Sequence, residues 1–400
     1  MFIFKCAHVI FGMFFLGVSV GENCEGWLRY GYFSHFTSTP FSPCPGANST
    51  IVNLHQISSL PSASNPVFRS SFQFPRAPIM KMDCLNEDPV TWMKLKEPVL
   101  LKHCQFFERA LKWNLEYLSK ELTDEYAVSL SDSRKFLYYD STVDYSNYEK
   151  SGWKPPYRIQ YNSFEEFLEM ASELSQADNG THAYFQTLLL NEEQNTSVQS
   201  DLNNFDYSWL LHVAFELGWS TNVLNMLFVG MPDVVTPLHY DIMENVFIQL
   251  QGRKRFILFS PDQYTNLYPH PIGHPHDRQS QVDLDTPDYE RFPKFRNVQS
   301  IEAILEPGDV LYVPTNWWHH VESNKNDFTV SLNFWFEDHL SERITSKIAA
   351  SAASGTQSTL TPTENMAFRR HIETIVYNMT RSPEKVKEIL EDILHGRFGS

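Results

Sequence analysis

Two distant stretches constrain this chain more than any others: TPLHYDIMENVFIQLQGRKRFILF at 236–259 and PGDVLYVPTNWWHHVES at 307–323. The first has strand-like composition, and a side-chain period of two places His239 and Asp241 on one face. The second opens on a Pro307-Gly308 turn, continues as a strand-like run at 309–313 and leads into Trp317, Trp318, His319 and His320. A small barrel can join the two, because a pair of ligands rides on one strand and a third arrives on a strand that returns beside it after a long excursion.

Two imidazoles and one carboxylate form a facial set that suits ferrous iron and leaves coordination positions open for an organic co-substrate and O2. Either stretch alone is weak, since His-x-Asp recurs by chance and a double Trp is more often core. Adjacent residues on an extended segment point in different directions, so only one of His319 and His320 is expected on the metal. His270, His274 and His276 crowd the segment between the stretches, but no carboxylate there has a spacing that would complete a second site.

Strand-like segments follow one another closely at 223–229, 246–250, 255–259, 309–313 and 328–336, and Gly252 suits a tight hairpin. This pattern predicts a mainly β fold with flanking helices, built on a double-stranded β-helix of the jelly-roll, cupin-like type. In the last strand Thr329, Ser331, Asn333 and Trp335 alternate with Val330, Leu332, Phe334 and Phe336. The first set is expected to face the barrel interior, and the second to pack outward on helices. Upstream, 98–102 reads as a strand, and Phe107, Ala110, Leu111, Leu115 and Leu118 recur at helical spacing. The run at 135–140 reads as a strand carrying two adjacent tyrosines. Ser163 and Glu166 form a capping box ahead of the stripe Phe164, Phe167, Leu168, Ala171.

The ends of the chain have other signatures. Lys5 precedes an uncharged apolar run at 9–20 with small residues around Ser19 and Gly21 at its end, the layout of a secretory signal peptide over 1–21. The run is short for a transmembrane helix, so no stable membrane span is expected after cleavage. Removal leaves Cys24, Cys44, Cys84 and Cys104, an even set that suits an oxidising compartment, with three pairings open. Free thiols in a reducing compartment are the alternative. Sequons at Asn48, Asn179, Asn195 and Asn378 decide nothing, because about three are expected by chance. The expected location is the secretory pathway, in the endoplasmic reticulum lumen or outside the cell. A mis-assigned first segment would return the protein to the nucleus or cytoplasm. Residues 22–88 read as an N-terminal extended arm. A formal net charge of −16 argues against a phosphate-backbone partner, so no nucleic acid is expected. Near the other end, a small-residue linker around 349–363 precedes two helices. The last has Ser382 as N-cap, Pro383 in its first turn, and Val386, Ile389, Leu390, Ile393 and Leu394 on one face.

TPLHYD, GRKRFILF, DRQSQVDLDTPDYERFP at 277–293, PGDVLYVPTNWWHHVES and SLNFWF, with KWNLEYL at Lys112 and KFLYYD at Lys135, together resemble the JmjC-type 2-oxoglutarate dioxygenases. Within them the chain most resembles the asparaginyl hydroxylases of hypoxia-inducible factor, over roughly 89–398. The resemblance implies a JmjC catalytic barrel over 89–340 with N-terminal helices, then a linker and C-terminal helices over 341–400. It implies a protein hydroxylase using Fe(II), 2-oxoglutarate and O2, with His239, Asp241 and His319 as metal ligands, the last because the family pattern puts its ligand directly after the Trp pair. Lys254 would hold the distal carboxylate of 2-oxoglutarate, with Thr236 and Tyr184 as hydroxyl donors, Asn245 and Asn333 lining the pocket and Phe247 as its aromatic wall. Without the resemblance, Lys254 reads as a solvated member of the cluster Arg253 to Arg255. Tyr138, Gln186, Arg278, Gln279 and Trp335 would contact an extended polypeptide substrate, while Asp241 would also orient the target side chain. The C-terminal helices would interlock two subunits in a homodimer, with Leu390 near the contact.

The chain departs from that pattern beside the target. Met226 and Phe228 stand where leucines are usual, and Ile242-Met243-Glu244 replaces a more polar run. Bulkier, more apolar walls widen the expected target to asparagine or a related side chain. Two other readings stay open: lysine demethylation within the same family, and a secreted barrel that binds without catalysis.

Overall fold

The computed structural model describes residues 68–397 apart from 144–145, 151, 178, 190–195, 356 and 358. The signal-like start, most of the arm, Cys24, Cys44 and the sequons at Asn48 and Asn195 lie outside the described residues. Among those described, the strands form two sheets. The larger, in spatial order, is Met80–Asp83 (β2), Val99–Lys102 (β3), Val310–Val313 (β12), Glu244–Gln251 (β9), Thr329–Asp338 (β14), Trp219–Gly230 (β7), His182–Leu188 (β6), Tyr126–Ser131 (β4) and Arg158–Asn162 (β5). The smaller is Arg76–Pro78 (β1), Ser300–Leu305 (β11), Lys254–Phe259 (β10), Trp318–Ser323 (β13) and Val235–Tyr240 (β8).

Strands β7 to β14 build the barrel. β12, β9, β14 and β7 are successive antiparallel neighbours in one layer, and β11, β10, β13 and β8 are successive antiparallel neighbours in the other. The chain therefore winds back and forth between two facing layers, as a double-stranded β-helix does. Alternation along the strands sorts the side chains. On β14, Val330, Leu332, Phe334 and Phe336 join a core shared with Phe164, Phe167 and other helical residues. The opposite face is polar: Ser331 donates to Gln249 at 3.1 Å and Asn333 to Asn245 at 3.1 Å. A second apolar cluster, with Phe247, Phe256, Leu258, Leu311 and Val313, fills part of the barrel interior. A third, with Phe72, Phe74, Leu238, Phe259, Trp318 and Met366, backs the smaller sheet. Each buried Phe or Leu contributes roughly 1.5–3 kcal/mol relative to exposure.

The β9–β10 turn shows why the hairpin needs glycine. Gly252 has φ +67°, and a Cβ there would come within 2.4 Å of the Phe328 carbonyl oxygen. At Ser163 both halves of the capping box form, the Glu166 N–H to the Ser163 hydroxyl at 3.3 Å and the Ser163 N–H to the Glu166 carboxylate at 2.8 Å.

Three expectations need correction. Residues 135–140 are not a strand: only Lys135 bridges Val235, and 136–140 carry no regular structure, with Asp140 donating to the Pro275 carbonyl at 2.8 Å. Aromatic, strand-like composition there serves ring packing, Tyr139 against Trp153 and Tyr157. The helical run at 107–118 is split into a 3-10 turn, Glu108–Lys112, and a helix, Leu115–Glu121, because Asn114 caps the second with its side chain on the Tyr117 N–H. The supposed linker begins later than 349, since Leu340–Ser354 is helical and stops at Gly355 with φ +66°; its alanines are helix formers despite their small size. Two helices follow it, Pro362–Thr380 and Pro383–Arg397. Within the described part of the arm, β1 and β2 add parallel edge strands to the two sheets. Cys84 and Cys104 form a disulfide with a Cα separation of 5.1 Å, one of the pairings left open. No helix of the described residues is long and apolar enough to cross a membrane.

Candidate metal centre

β13 pairs antiparallel with β8 in a register that sets His319 directly opposite His239. Their rings lie 4.1 Å apart, centroid to centroid, and Asp241, one residue past the end of β8, brings Oδ2 to 3.7 Å from His319 Nε2. One ligand atom from each of the three falls within 4.8 Å of the others, and among the described residues no other group of three or more His, Cys, Asp or Glu converges in this way. Backbone carbonyls orient both imidazoles. His239 Nδ1 is 2.8 Å from the Pro237 oxygen and His319 Nδ1 is 3.0 Å from the Trp317 oxygen, so Nδ1 carries the proton and Nε2 offers its lone pair inward.

Electrostatics suit the same reading. Burial and then the neighbouring His319 push the His239 imidazolium down to about 3, and burial lowers His319 as well, so both rings are neutral and able to ligate. Burial alone would raise the Asp241 carboxyl. His319, His239 and Arg278 outweigh it, and the group stays below its usual range as a carboxylate. His320 points to the other side of β13, edge-on to Phe72 at 5.6 Å with Nε2 3.7 Å from Glu322. His276 directs Nδ1 at the Tyr138 carbonyl, 2.8 Å away, and its Nε2 accepts from the Trp153 indole at 3.0 Å.

Lys254 faces into the barrel from β10 and is 2% exposed. Tyr184 Oη lies 3.5 Å from its ammonium, and the rings of Phe247, Tyr184 and Phe228 stand 5.2, 5.7 and 5.8 Å away. No carboxylate among the described residues pairs with it, and burial drives its pKa down to about 7. Its neighbours on the strand go elsewhere, Arg253 to Glu306 at 2.6 Å and Arg255 to Glu322. Burial raises the Tyr184 phenol, while a hydrogen bond with Thr236 works against that rise. Asn333 Oδ1 is buried with no hydrogen-bond partner among the described residues. A buried cation without an anion among the described residues and two hydroxyls form a lining that fits a dicarboxylate beside a His-Asp-His metal set.

The residues expected to meet a polypeptide gather on the Asp241 side, where the ligand's side chain is 20% exposed. Arg278 Nη1 donates to the Tyr240 carbonyl at 2.9 Å, lies 3.5 Å from Asp241 Oδ1, and sits 5.5 Å over the Tyr138 ring. Gln279 bridges to His239 through the backbone, and its buried Oε1 has no partner among the described residues. Gln186, half-buried on β6, pairs with Phe228, whose ring meets Trp335 edge-on at 5.8 Å. Met226 and Phe228 keep the same strand face. Glu244 does not belong to the wall: it is fully buried on the outward side of β9, accepting from Lys96 at 2.7 Å and from the Tyr312 hydroxyl at 2.7 Å. Its position in the sequence suggested a site residue, but the pleat turns it away from the centre.

The profile of the cupin-like domain family matches residues 87–342 of the chain. The chain belongs to the cupin-like, JmjC-type family. Over 301 residues it is 30% identical to human HSPB1-associated protein 1, covering 68% of this chain and 56% of that protein. JmjC domain-containing protein D of Dictyostelium discoideum is 42% identical over 109 residues, 27% of this chain and 24% of its own length. Lysine-specific demethylase 8 of Xenopus tropicalis is 37% identical over 107 residues, 27% of this chain and 24% of its own length. The chain thus spans about half the length, or less, of the curated relatives it matches.

Tyr240, Asp277, Asn316 and Arg370 bond to one another or to the segments on either side of Asp241 without having been singled out in the sequence. Asn316, whose φ of +65° suits its residue type, donates its N–H to the Asp241 carbonyl at 2.7 Å; a left-handed Asn between a Pro-Thr pair and the Trp pair was the available signal. Replacing Lys254 with Met gives a sharp expectation. Because burial depresses the folded-state pKa, the lysine costs most stability below pH 7 and progressively less as pH rises toward the unfolded value. Lys254→Met should therefore stabilise the ligand-free protein more at pH 6 than at pH 9, and weaken 2-oxoglutarate binding about 100-fold. Urea denaturation at the two pH values and calorimetric titration measure both; equal affinity in the variant would remove Lys254 from the pocket.

Proposed function

We propose that this protein is an Fe(II)- and 2-oxoglutarate-dependent oxygenase that hydroxylates a side chain of a polypeptide, asparagine or a close relative of it. The observation that carries the reading is the convergence of His239, Asp241 and His319 in the same barrel as a buried lysine that no carboxylate among the described residues pairs with. Iron and its keto-acid co-substrate, when bound, would supply an oxidising chemistry that no side chain can provide.

The chain's own residues bind, orient and exclude water. His239 and His319 present neutral Nε2 atoms held by the Pro237 and Trp317 carbonyls, and Asp241 stays ionised beside them. Lys254 takes the distal carboxylate of 2-oxoglutarate, with the hydroxyls of Tyr184 and Thr236 beside it and Asn245 and Asn333 along the pocket. Phe228, Phe247 and Phe256 wall the cavity, so ionic contacts made there act with little screening. Tyr138, Gln186, Arg278, Gln279 and Trp335 receive the polypeptide, and Phe228 and Met226 narrow the space above the metal. The catalytic unit is taken as 89–340, and the helices over 341–400 as its support.

The stretches TPLHYD and DRQSQVDLDTPDYERFP support the asparaginyl-hydroxylase branch. A second reading, lysine demethylation, draws on the similarity to a relative named lysine-specific demethylase 8. Protein supplied with Fe(II), 2-oxoglutarate and peptide libraries should form succinate faster with peptide present and add one oxygen atom to the peptide by mass spectrometry, and His239→Ala should lose both effects. Loss of methyl groups without oxygen gain would transfer the assignment to demethylation. Absence of any peptide-stimulated turnover would leave a binding module.

The partner proposed through the C-terminal segment is a second copy of the chain. Pro383–Arg397 buries Val386 but leaves Ile389, Ile393 and Leu394 exposed, as does the preceding helix at Ile375 and Met379. A groove of about 480 Å³ lies between this helix and Pro271 and Ile272, with Leu390 on its wall. Leu390→Arg should convert a dimer to a monomer in light scattering; a wild type that is already monomeric ends the proposal.

We place the protein in the secretory pathway on the signal-like start, and the Cys84–Cys104 bond supports an oxidising compartment. A nuclear or cytoplasmic site is the alternative if the start is mis-assigned. Asn179 sits in an exposed turn, its side chain accepting from the Thr181 N–H at 3.0 Å. Full-length protein from cells should therefore shift on endoglycosidase treatment and lose part of that shift in Asn179→Gln. A protein that never enters the pathway shows no shift.

A further inference from the structure

The helix Pro362–Thr380 lies outside the barrel, yet it grips the chain on both sides of Asp241. On one side Arg370 makes a two-pronged ion pair with Asp277, at 2.9 and 2.7 Å, and donates to the Tyr240 hydroxyl at 3.1 Å. Tyr240 immediately precedes Asp241, and Asp277 immediately precedes Arg278. Those two segments are stitched together: the Tyr240 N–H donates to the Arg278 carbonyl at 3.1 Å, and the Arg278 side chain returns to the Tyr240 carbonyl and the Asp241 carboxylate. On the other side the Asn316 N–H holds the Asp241 carbonyl at 2.7 Å, while the Asn316 side chain reaches the Thr363 carbonyl at 3.4 Å. Between these two grips Met366 is buried in the cluster that contains Tyr240 and Trp318.

Position in the fold makes such grips consequential. His239 and His319 stand within paired strands, where ladder hydrogen bonds hold the backbone. Asp241 is one residue beyond the end of β8, so contacts from outside the ladder set its orientation. Arg370 and Asp277 have side chains only 15% and 19% exposed, and a bidentate guanidinium–carboxylate pair shielded to that degree fixes angle as well as distance.

We propose that Arg370 is a positioning residue for the metal centre: acting through Asp277 and Tyr240, it sets the orientation of Asp241 and Arg278 and makes the helix Pro362–Thr380 part of the site. The inference rests on the reading of Asp241 as a metal ligand. The full-length protein is tested with Co(II) alone as the probe, in wild type, Arg370→Lys, Arg370→Gln and Tyr240→Phe, each checked for folding by circular dichroism. Wild type should bind one Co(II) with visible ligand-field bands. Arg370→Gln should bind about tenfold more weakly with displaced bands, as expected when a residue that orients a ligand is removed. Arg370→Lys and Tyr240→Phe should fall between. A merely structural role would lower the melting temperature and leave the bands of the folded fraction in place. Unchanged bands and affinity in the folded variants overturn the proposal. If Arg370→Gln does not fold, Arg370→Lys and Tyr240→Phe decide it by the same criteria. A wild type that binds no Co(II) overturns the metal-centre reading itself, a result separable from failure of the variants alone.

Discussion

The pairing register of β8 with β13 is the constraint on which the centre depends. His319 sits opposite His239 in an antiparallel ladder, and side chains alternate faces with a period of two. A slip of one residue would bring His320 inward and send His319 against Phe72 and Glu322. The register is held by what lies on either side: Trp318 and Tyr240 pack ring to ring at 4.7 Å behind the sheet, while the ladder from β13 to β10 runs without a break from Trp318 to Ser323. A bulge between His319 and Val321 on the β8 side follows the ligand pair.

A second constraint is electrostatic. The chain carries a formal charge of −16, yet the barrel encloses a lysine with no acidic neighbour among the described residues. Desolvating an ammonium that way is costly unless something anionic enters with it. Elsewhere in the fold buried charges are matched: Lys96 with Glu244 and Asp338, Arg255 with Glu322, Arg370 with Asp277. Against that background the solitary Lys254 marks a place for a ligand.

Much of this was legible in the sequence, and the gaps have physical reasons. The last barrel strand announced itself through the alternation of Thr329, Ser331, Asn333 and Trp335 with Val330, Leu332, Phe334 and Phe336, whereas the strand that carries His319 did not stand out, and His319 could be preferred to His320 because a family pattern fixed its place after the Trp pair. Lys254 was not legible from its surroundings, since Arg253, Lys254 and Arg255 read together as a solvated basic run. Only the pleat reveals that the middle residue turns inward while its neighbours pair outside. Residues 135–140 misled because aromatic richness looks the same whether it feeds a ladder or a ring cluster. Arg370 was invisible for a different reason: within FRRHIE it looks like any exposed helical arginine, and its burial depends on a loop far from it in the chain.

X-ray absorption at the iron edge of Fe(II)-loaded protein tests the central claim most directly, because multiple scattering from imidazole rings counts histidine ligands. Two imidazoles should appear with the remaining ligating atoms all oxygen, and one imidazole should be lost when His319 is replaced but not when His320 is. A spectrum with one or three imidazoles, with sulfur among the ligating atoms, or with His320 responsible for the second ring would contradict that claim.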